Sequence, residues 1–159
     1  MSFTIRKATE NDIPTILHLI TQLAIYEKLE HEVVATEETL KQTIFAQNYA
    51  EVIIGEEDGQ PVGFALFFHN YSTFLSKPGI YLEDLFVEVA HRGKGYGKKL
   101  LAELARIAKE RNCGRLEWSV LNWNTPSIEF YKSLGAKPMD EWTVYRMTEQ
   151  EINDLAALS

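Results

Sequence analysis

The turn from Arg92 to Gly97 reads Arg-Gly-Lys-Gly-Tyr-Gly and has the composition of a site for a phosphate-bearing ligand. It lies between a β-rich segment and an amphipathic helix, so its unpaired backbone N–H groups and the helix dipole face a common point. Glycines at residues 93, 95 and 97 let the backbone approach phosphate oxygens without obstruction by a Cβ atom. Positive charge in this otherwise acidic chain is concentrated here, at Arg92, Lys94, Lys98 and Lys99. The sequence therefore predicts that the turn binds a diphosphate.

Two common nucleotide-binding motifs do not fit this turn. Its spacing is Gly-x-Gly-x-Gly, whereas a dinucleotide fold needs Gly-x-Gly-x-x-Gly after the first strand of a βαβ unit. A Walker A loop ends in Gly-Lys-Ser or Gly-Lys-Thr, and this turn does not. The plainer alternative is a glycine-rich connection that only turns the chain, and the local positive charge argues against it.

The turn and three further segments resemble acetyltransferases of the GNAT superfamily. The superfamily's pyrophosphate signature, R/Q-x-x-G-x-G/A, is matched by Arg92, Gly95 and Gly97, and the resemblance spans nearly the whole chain. More narrowly, the chain is similar to the diamine (spermidine/spermine) acetyltransferase branch. This narrower resemblance is carried by Leu23-Ala24 with Tyr26-Glu27, Tyr81 to Asp84 with Phe86-Val87, and Trp123-Asn124 with Pro126 to Ile128 and Phe130 to Lys132. It implies transfer of acetyl from acetyl-CoA to a primary amine of a small cationic substrate, such as a polyamine or diamine.

The resemblance also implies a base and an acid for direct transfer in a ternary complex. An alkylamine has a pKa of about 10 and attacks a thioester only after it has lost a proton. Glu83 is the candidate base, acting through water, and Tyr131 matches the family's general acid, which protonates the departing thiolate. The plainer alternatives are an exposed strand carboxylate for Glu83 and a core aromatic of the short helix for Tyr131.

Binding roles follow from the same resemblance. In such enzymes the strand before the phosphate turn splays from its neighbour, and its open backbone holds the pantetheine arm and the thioester carbonyl. The expected cofactor-binding residues are Leu85, Phe86, Val87, Arg92, Gly93, Lys94, Gly95, Tyr96, Gly97, Lys98, Asn124, Ser127 and Lys132. Carboxylates along a groove, with aromatic surface between them, suit a substrate with several ammonium groups. The expected substrate-binding residues are Tyr26, Glu27, Glu83, Asp84, Trp142 and, by an approximate match, Asp140.

Two alternatives stay open beside the polyamine. The same branch acetylates the side-chain amine of an amino acid such as thialysine or lysine, and the acidic residues would serve either substrate. A noncatalytic CoA-binding sensor or partner-binding module is an alternative of another class, against which the presence of both Glu83 and Tyr131 argues. His91 precedes the turn and is a further candidate for a cofactor contact, although packing or surface exposure is its plainer interpretation.

Hydrophobic periodicity and turn residues predict one α+β domain over residues 1–159. We expect strands at Phe3 to Lys7, Val52 to Ile54, Val62 to Phe68, Ile80 to Val89, Leu116 to Leu121 and Trp142 to Met147. We expect helices from Ile13 to about Tyr26, from Thr36 to about Ala46, after Gly97, from a Thr125 cap to about Leu134, and after the capping box Thr148 to Glu151. The resulting GNAT-like fold is a mixed, mostly antiparallel, twisted sheet of about six to seven strands flanked by helices.

Composition narrows the partners. The apolar fraction of 45% suffices for a core, and Cys113, the only cysteine, allows neither an intrachain disulfide nor a cysteine-ligated zinc site. The four histidines lack metal-ligand spacing, so we expect no metal. A formal charge of −7 argues against nucleic acid and is compatible with a cationic substrate. Without a signal peptide or an apolar run of roughly 20 residues, we expect a cytoplasmic protein with no membrane partner. Because dimers are usual in the GNAT family, the resemblance implies a homodimer.

Overall fold

A computed structural model describes all 159 residues of the chain. Its contacts distinguish two units, residues 1–119 and residues 120–159. None of the helices in either unit combines the length and the apolar composition that crossing a membrane requires.

One sheet of five strands forms the centre of the first unit, and the strands follow each other across the sheet in chain order. They are β1 Phe3–Lys7, β2 Glu51–Glu57, β3 Gln60–Ser72, β4 Lys77–Val87 and β5 Leu116–Trp118. The strands β1 to β4 pair antiparallel, and β5 joins β4 in parallel. The predicted α+β class and the mixed, mostly antiparallel sheet are confirmed, whereas the prediction of six to seven strands is wrong by at least one strand.

The hairpin between β2 and β3 forms where the sequence predicts it. Asp58 has a φ of 50° and Gly59 a φ of 84°, so both central residues are left-handed, as a two-residue turn of this hand requires. The turn aligns Glu57 with Gln60, and a register shift follows between Gly55 and Glu56.

Three helices belong to the first unit, namely α1 Ile13–Tyr26, α2 Glu37–Leu40 and α3 Tyr96–Glu110. A π-helical turn at Lys41–Ala46 extends α2 over the predicted helix, and 3₁₀ turns occupy Glu10–Asp12, Glu30–Glu32 and Val89–His91. The bounds of α1 agree with its predicted range, because its apolar side chains recur at helical spacing and Pro14 lies in the first turn.

The helices cover both faces of the sheet. Ile16 of α1 and Leu40 of α2 join Ile54 of β2 in one buried apolar cluster. On the other face, a Cβ atom added to Gly55 would lie 3.6 Å from Leu100 of α3. Because successive strand residues point to opposite faces, α3 lies across the sheet from α1. Packing of the apolar face of α3 against the sheet therefore positions the start of α3, and the turn before it, at the ends of β2 and β4.

The second unit contains α4 Thr125–Ser133 and α5 Glu149–Ala156. Asn124 caps α4, because its side chain accepts a hydrogen bond of 3.3 Å from the Ser127 N–H, so the predicted Thr125 cap is wrong by one residue. The predicted capping box at Thr148 and Glu151 is confirmed.

The prediction of a last strand from Trp142 to Met147 is wrong for this structure. The segment forms no ladder with any strand, and the Trp142 N–H instead bonds the Met139 carbonyl in a turn. Its side chains stay in solvent, with Trp142 76%, Val144 79% and Tyr145 91% exposed. Alternating residues indicate that a segment can adopt an extended conformation. A strand forms only where a neighbouring strand supplies the hydrogen-bond partners. The predicted strand to Leu121 likewise ends at Trp118.

Candidate active site

The turn before α3 presents open backbone. Gly93 and Gly95 have left-handed φ values of 80° and 81°, and Gly95 is the N-cap residue of α3. A Cβ atom added to either residue, or to Gly97, would meet no atom within 4 Å. Packing therefore does not require the small side chains, whereas the unpaired N–H groups of the first helical turn suit an anion that approaches closely.

Arg92 joins the turn to α1 and β4. Its guanidinium carbon lies 4.4 Å from the centre of the Tyr26 ring and 5.3 Å from the centre of the Phe86 ring. Its Nε donates a hydrogen bond of 2.9 Å to the Val87 carbonyl. One residue expected at the cofactor and one expected at the substrate, Arg92 and Tyr26, are thus in direct contact.

A buried carboxylate on β2 collects the polar side chains of the turn. The Lys94 ammonium donates to Glu57 Oε1 at 2.7 Å, the Tyr96 hydroxyl donates to the same oxygen at 2.5 Å, and His91 Nδ1 lies 3.0 Å from Oε2. The hydrogen bond from Lys94, followed by that from Tyr96, lowers the pKa of Glu57 to about 2. Donating this bond to the carboxylate raises the pKa of Tyr96 to about 12, and Phe3 stacks on the Tyr96 ring at 3.9 Å.

Sequence reasoning missed Glu57. An acidic residue before an Asp-Gly hairpin has nothing that distinguishes it from a solvated strand end, and its partners lie far along the chain. His91, interpreted from sequence as a packing or surface residue with a cofactor contact as the alternative, also faces this carboxylate. Lys98, by contrast, is exposed on the first turn of α3.

The strand β4 loses its β5 partner before it reaches the turn. It pairs with β5 only from Ile80 to Leu82, opposite Leu116 to Trp118, while its pairing with β3 continues to Val87. The side chains of Phe86 and Val87 are buried, and that of Leu85 is partly buried. The edge of β4 that faces away from β3 therefore has no strand partner over the residues expected to hold the pantetheine arm.

Three carboxylates gather where β4 diverges. Leu66 and Phe67 of β3 pair with Asp84 and Leu82, so Glu83 is an extra, bulged residue between them, and it is exposed. Burial, then the charge of Glu83, then that of Glu27, raises the pKa of Asp84 to about 7. Burial also raises the pKa of Glu27, which follows α1 directly. Bringing these acids together costs free energy that a bound ammonium ion would recover.

The remaining expected site residues belong to the second unit. Asn124 is buried and caps α4, Ser127 and Tyr131 are partly buried on α4, and Lys132 is exposed at its end. The rings of Phe130 and Tyr131 lie 5.6 Å apart. Asp140 and Trp142 follow α4 in an exposed segment without regular structure. No group of three or more His, Cys, Asp or Glu side chains in the chain is arranged to hold a metal ion.

Comparison with protein families shows which family this chain matches. The family model described as Acetyltransferase (GNAT) family matches residues 16–136. The match includes α1 from residue 16 onward, the whole of the sheet except β1, the glycine turn and α4.

Individual relatives match over nearly the full chain. Thialysine N-epsilon-acetyltransferase of Sus scrofa is 36% identical and covers 98% of both chains. L-ornithine N5-acetyltransferase of Arabidopsis thaliana is 32% identical, over 98% of this chain and 88% of that protein. Among solved structures, an integron cassette protein from the mobile metagenome of V. cholerae superposes with a TM-score of 0.82, at 30% identity and 98% coverage of each chain.

Proposed function

Because the chain belongs to the GNAT acetyltransferase family, and so is an N-acetyltransferase that uses acetyl-CoA, we propose that it acetylates a terminal primary amine of a small, multiply cationic substrate. The observation that carries this proposal is the partly buried carboxyl of Asp84, flanked by Glu83 and Glu27 at the end of the β4–β5 pairing. A group of acids in this position favours ammonium over neutral or anionic acceptors.

The first candidate acceptor is an amino acid with a side-chain amine, such as thialysine, ornithine or lysine. Relatives that cover nearly the whole chain are a thialysine and an ornithine acetyltransferase, which supports this choice over the polyamine expected from the sequence. A polyamine or diamine is the second candidate. It is favoured by the number of carboxylates, since such a substrate brings several ammonium groups and no carboxylate that the acids would repel.

The chemistry that we propose is direct transfer in a ternary complex. Glu83, through a water molecule, accepts a proton from the bound ammonium, and the neutral amine nitrogen attacks the thioester carbonyl carbon. Backbone N–H groups at the open edge of β4, among Leu85, Phe86 and Val87, stabilise the developing oxyanion. As the C–S bond breaks, Tyr131 gives its proton to the departing thiolate, and the second proton lost by the attacking nitrogen returns to the Tyr131 oxygen through water. The products are the N-acetylated amine and CoA, and no covalent enzyme intermediate forms.

For the cofactor, the proposal assigns the diphosphate to the backbone of Gly93, Gly95 and Gly97 at the N-terminus of α3. The left-handed glycines and the absence of neighbours around them support this assignment. Additional contacts are proposed for the other residues that match the family, in the turn at Arg92, Lys94, Tyr96 and Lys98 and around α4 at Asn124, Ser127 and Lys132. Substrate contacts are proposed for Tyr26, Asp140 and Trp142.

We further infer that residues 1–159 act as one catalytic domain in a cytoplasmic homodimer. The family match from residue 16 to residue 136 runs across the boundary between the two units, which supports a single domain. The exposed apolar side chains between Trp142 and Met147 support a dimer, because a second chain would remove them from water. The single cysteine is compatible with a reducing compartment.

Substrate pairs that differ by one carboxylate test the acceptor class. Ornithine and putrescine, or lysine and cadaverine, share the reacting amine and differ in the α-carboxylate. With acetyl-CoA, release of CoA thiol is expected with ornithine, thialysine or lysine at higher kcat/KM than with the matched diamines. Faster reaction with the diamines selects the polyamine class. Absence of thiol release with every amine in the panel would contradict the proposed function.

A further inference from the structure

The side chains of the phosphate turn alternate between open and anchored positions. Residues 93, 95 and 97 are glycines, and a Cβ atom added to any of them would meet no atom within 4 Å beyond the adjoining chain. Residues 94 and 96 carry side chains that reach back to Glu57, and His91, just before the turn, does the same. The glycines thus leave room for a ligand, whereas the side chains between them hold the turn against the sheet.

All three anchors meet one carboxyl group that is well shielded from water. Glu57 is 9% exposed, lies in the last position of β2, accepts hydrogen bonds from Lys94 and Tyr96 at Oε1, and has its Oε2 3.0 Å from His91 Nδ1 in a charge contact without hydrogen-bond geometry. A shielded carboxylate must be satisfied by donors, and here both donors come from residues 94–96. Glu57 therefore ties this part of the turn to the sheet.

The Tyr96 ring is held from a second side. It stacks on Phe3 of β1 with an angle of 8° between the ring planes. Tyr96 is the first residue of α3, so the stack and the hydrogen bond to Glu57 together hold the N-terminus of the helix against β1 and β2. Freedom of the turn is removed before any ligand arrives, and pre-organisation of this kind strengthens binding.

We propose that Glu57 is a positioning residue for the acetyl-CoA diphosphate: it anchors His91, Lys94 and Tyr96 so that the backbone N–H groups of the intervening glycines face the ligand. The inference rests on the proposed function, which puts the diphosphate at this turn. It changes the role of Lys94, whose ammonium neutralises Glu57 and whose contribution to the phosphates comes from its main chain.

A carboxylate beside an anion site also repels the anion, and this effect has the opposite sign. If repulsion dominated, removing Glu57 would tighten CoA binding. If anchoring dominates, as the three converging contacts indicate, removing it weakens CoA binding, and a neutral side chain that still accepts hydrogen bonds loses less than an apolar one.

Calorimetric titration with CoA measures the difference between these two effects. Glu57→Leu is expected to weaken CoA binding about tenfold, and Glu57→Gln and Tyr96→Phe, which remove less, about threefold each. Glu56→Gln is the matched control, since the adjacent Glu56 pairs with Arg6 at 3.3 Å and does not contact the turn. It should bind CoA within twofold of the wild-type value.

Steady-state kinetics separate positioning from general damage. The KM for acetyl-CoA should rise in the Glu57 and Tyr96 variants, while kcat at saturation and the KM for the amine change less than twofold. A partly unfolded population would lower kcat instead. If Glu57→Leu does not fold, Glu57→Gln and Tyr96→Phe decide, because both retain the shape of the original side chain.

The outcomes distinguish the two levels of the argument. Wild-type protein that binds no CoA overturns the proposed function and the inference with it. Wild-type protein that binds CoA, together with Glu57 and Tyr96 variants that bind it equally well or more tightly, overturns the inference alone.

Discussion

The guanidinium of Arg92 lies over the ring of Tyr26, 4.4 Å from its centre, and so connects the phosphate turn to the end of α1. Glu27, the next residue, belongs to the carboxylate group around Asp84. The turn and the acids are therefore not independent parts of the first unit, because one stacked pair lies between them.

Replacing Tyr26 should weaken the binding of both acetyl-CoA and the amine. A cation–π contact of about 0.5 to 1 kcal/mol at a partly exposed site corresponds to a roughly twofold to fivefold change. Tyr26→Leu is expected to raise the KM of acetyl-CoA and of the amine by about that factor, while Tyr26→Phe keeps the ring and leaves the KM of acetyl-CoA unchanged. Tyr49→Leu, at an exposed tyrosine after the π-helical turn, is the control. An effect of Tyr26→Leu on the amine alone would exclude a role for the stacked pair in acetyl-CoA binding.

Gly97→Ala should separate folding from ligand binding. Gly97 lies in the first turn of α3, where alanine is the better helix former by about 0.5 to 1 kcal/mol, and its added Cβ meets no protein atom. We expect a higher melting temperature together with weaker CoA binding, because the methyl group lies where the diphosphate approaches. Ala102→Gly, at an exposed position of the same helix, should lower stability and leave CoA binding unchanged. Unchanged CoA binding in Gly97→Ala would place the phosphates elsewhere.

Asp84 should make stability fall as the pH rises through its titration range. Its pKa is about 7 in the folded chain against 3.8 for the unfolded group, so the folded state retains a proton that the unfolded state releases. Stability is therefore highest below about pH 4 with respect to this group and decreases up to about pH 7. Asp84→Asn should be more stable than wild type at pH 8, by about 1 to 3 kcal/mol in chemical denaturation, and of similar stability at pH 4.

The same carboxyl links amine binding to proton release. A bound ammonium favours ionised Asp84, so calorimetry at pH 6.5 in buffers of different ionisation enthalpy should detect protons released by wild-type protein. In Asp84→Asn this release should be absent and amine affinity lower. Asp154→Asn, at an exposed residue of α5, should behave as wild type in both experiments. Proton uptake on amine binding would contradict this assignment.

Tyr131→Phe should lower turnover and preserve cofactor affinity. Loss of a general acid costs about a hundredfold or more in kcat, whereas the phenyl ring retains the packing of the side chain against Phe130. The measurement is kcat at saturation beside the dissociation constant of CoA. Tyr145→Phe, at the most exposed tyrosine of the second unit, is the control. Full turnover in Tyr131→Phe would remove this residue from the chemistry.

Charges placed in the exposed segment of the second unit should abolish dimer formation. Val144→Lys combined with Met147→Lys puts two ammonium groups where the proposed interface buries apolar surface. Light scattering after gel filtration should give a dimer mass for wild type and a monomer mass for the double variant. Leu158→Lys, at an exposed position of the C-terminal tail, should remain dimeric. A monomeric wild-type protein at micromolar concentration would refute the dimer.

Local patterns were sufficient for most of the first unit. The helical spacing of Ile13, Ile16 and Ala24 predicted α1, and Asp58-Gly59 predicted the hairpin, because both depend on neighbours in sequence. Features that depend on a distant or second partner were not predictable in this way. The segment from Trp142 to Met147 has a strand pattern but no strand beside it. Asn124, and not Thr125, caps α4, and sequence alone does not distinguish them because both residue types are good helix caps.

The site shows the same limit. The glycine turn was recognised from sequence, since its spacing carries the information, and the family match bears out the prediction that the chain is a GNAT acetyltransferase. His91, Lys94 and Tyr96 all contact Glu57 of β2, although β3 and β4 separate them from Glu57 in the sequence. No local sequence pattern indicates these contacts. The raised pKa of Asp84 likewise depends on burial by elements that the sequence does not place.

The bulge in β4 has a consequence for how the chain tolerates a shortening. Since Leu82 and Asp84 already pair with consecutive residues of β3, deleting Glu83 would leave a regular ladder with every later pair in place. The pairing of the sheet therefore does not require this residue, and a chain shortened by Glu83 is expected to keep its fold while it loses one carboxylate beside Asp84.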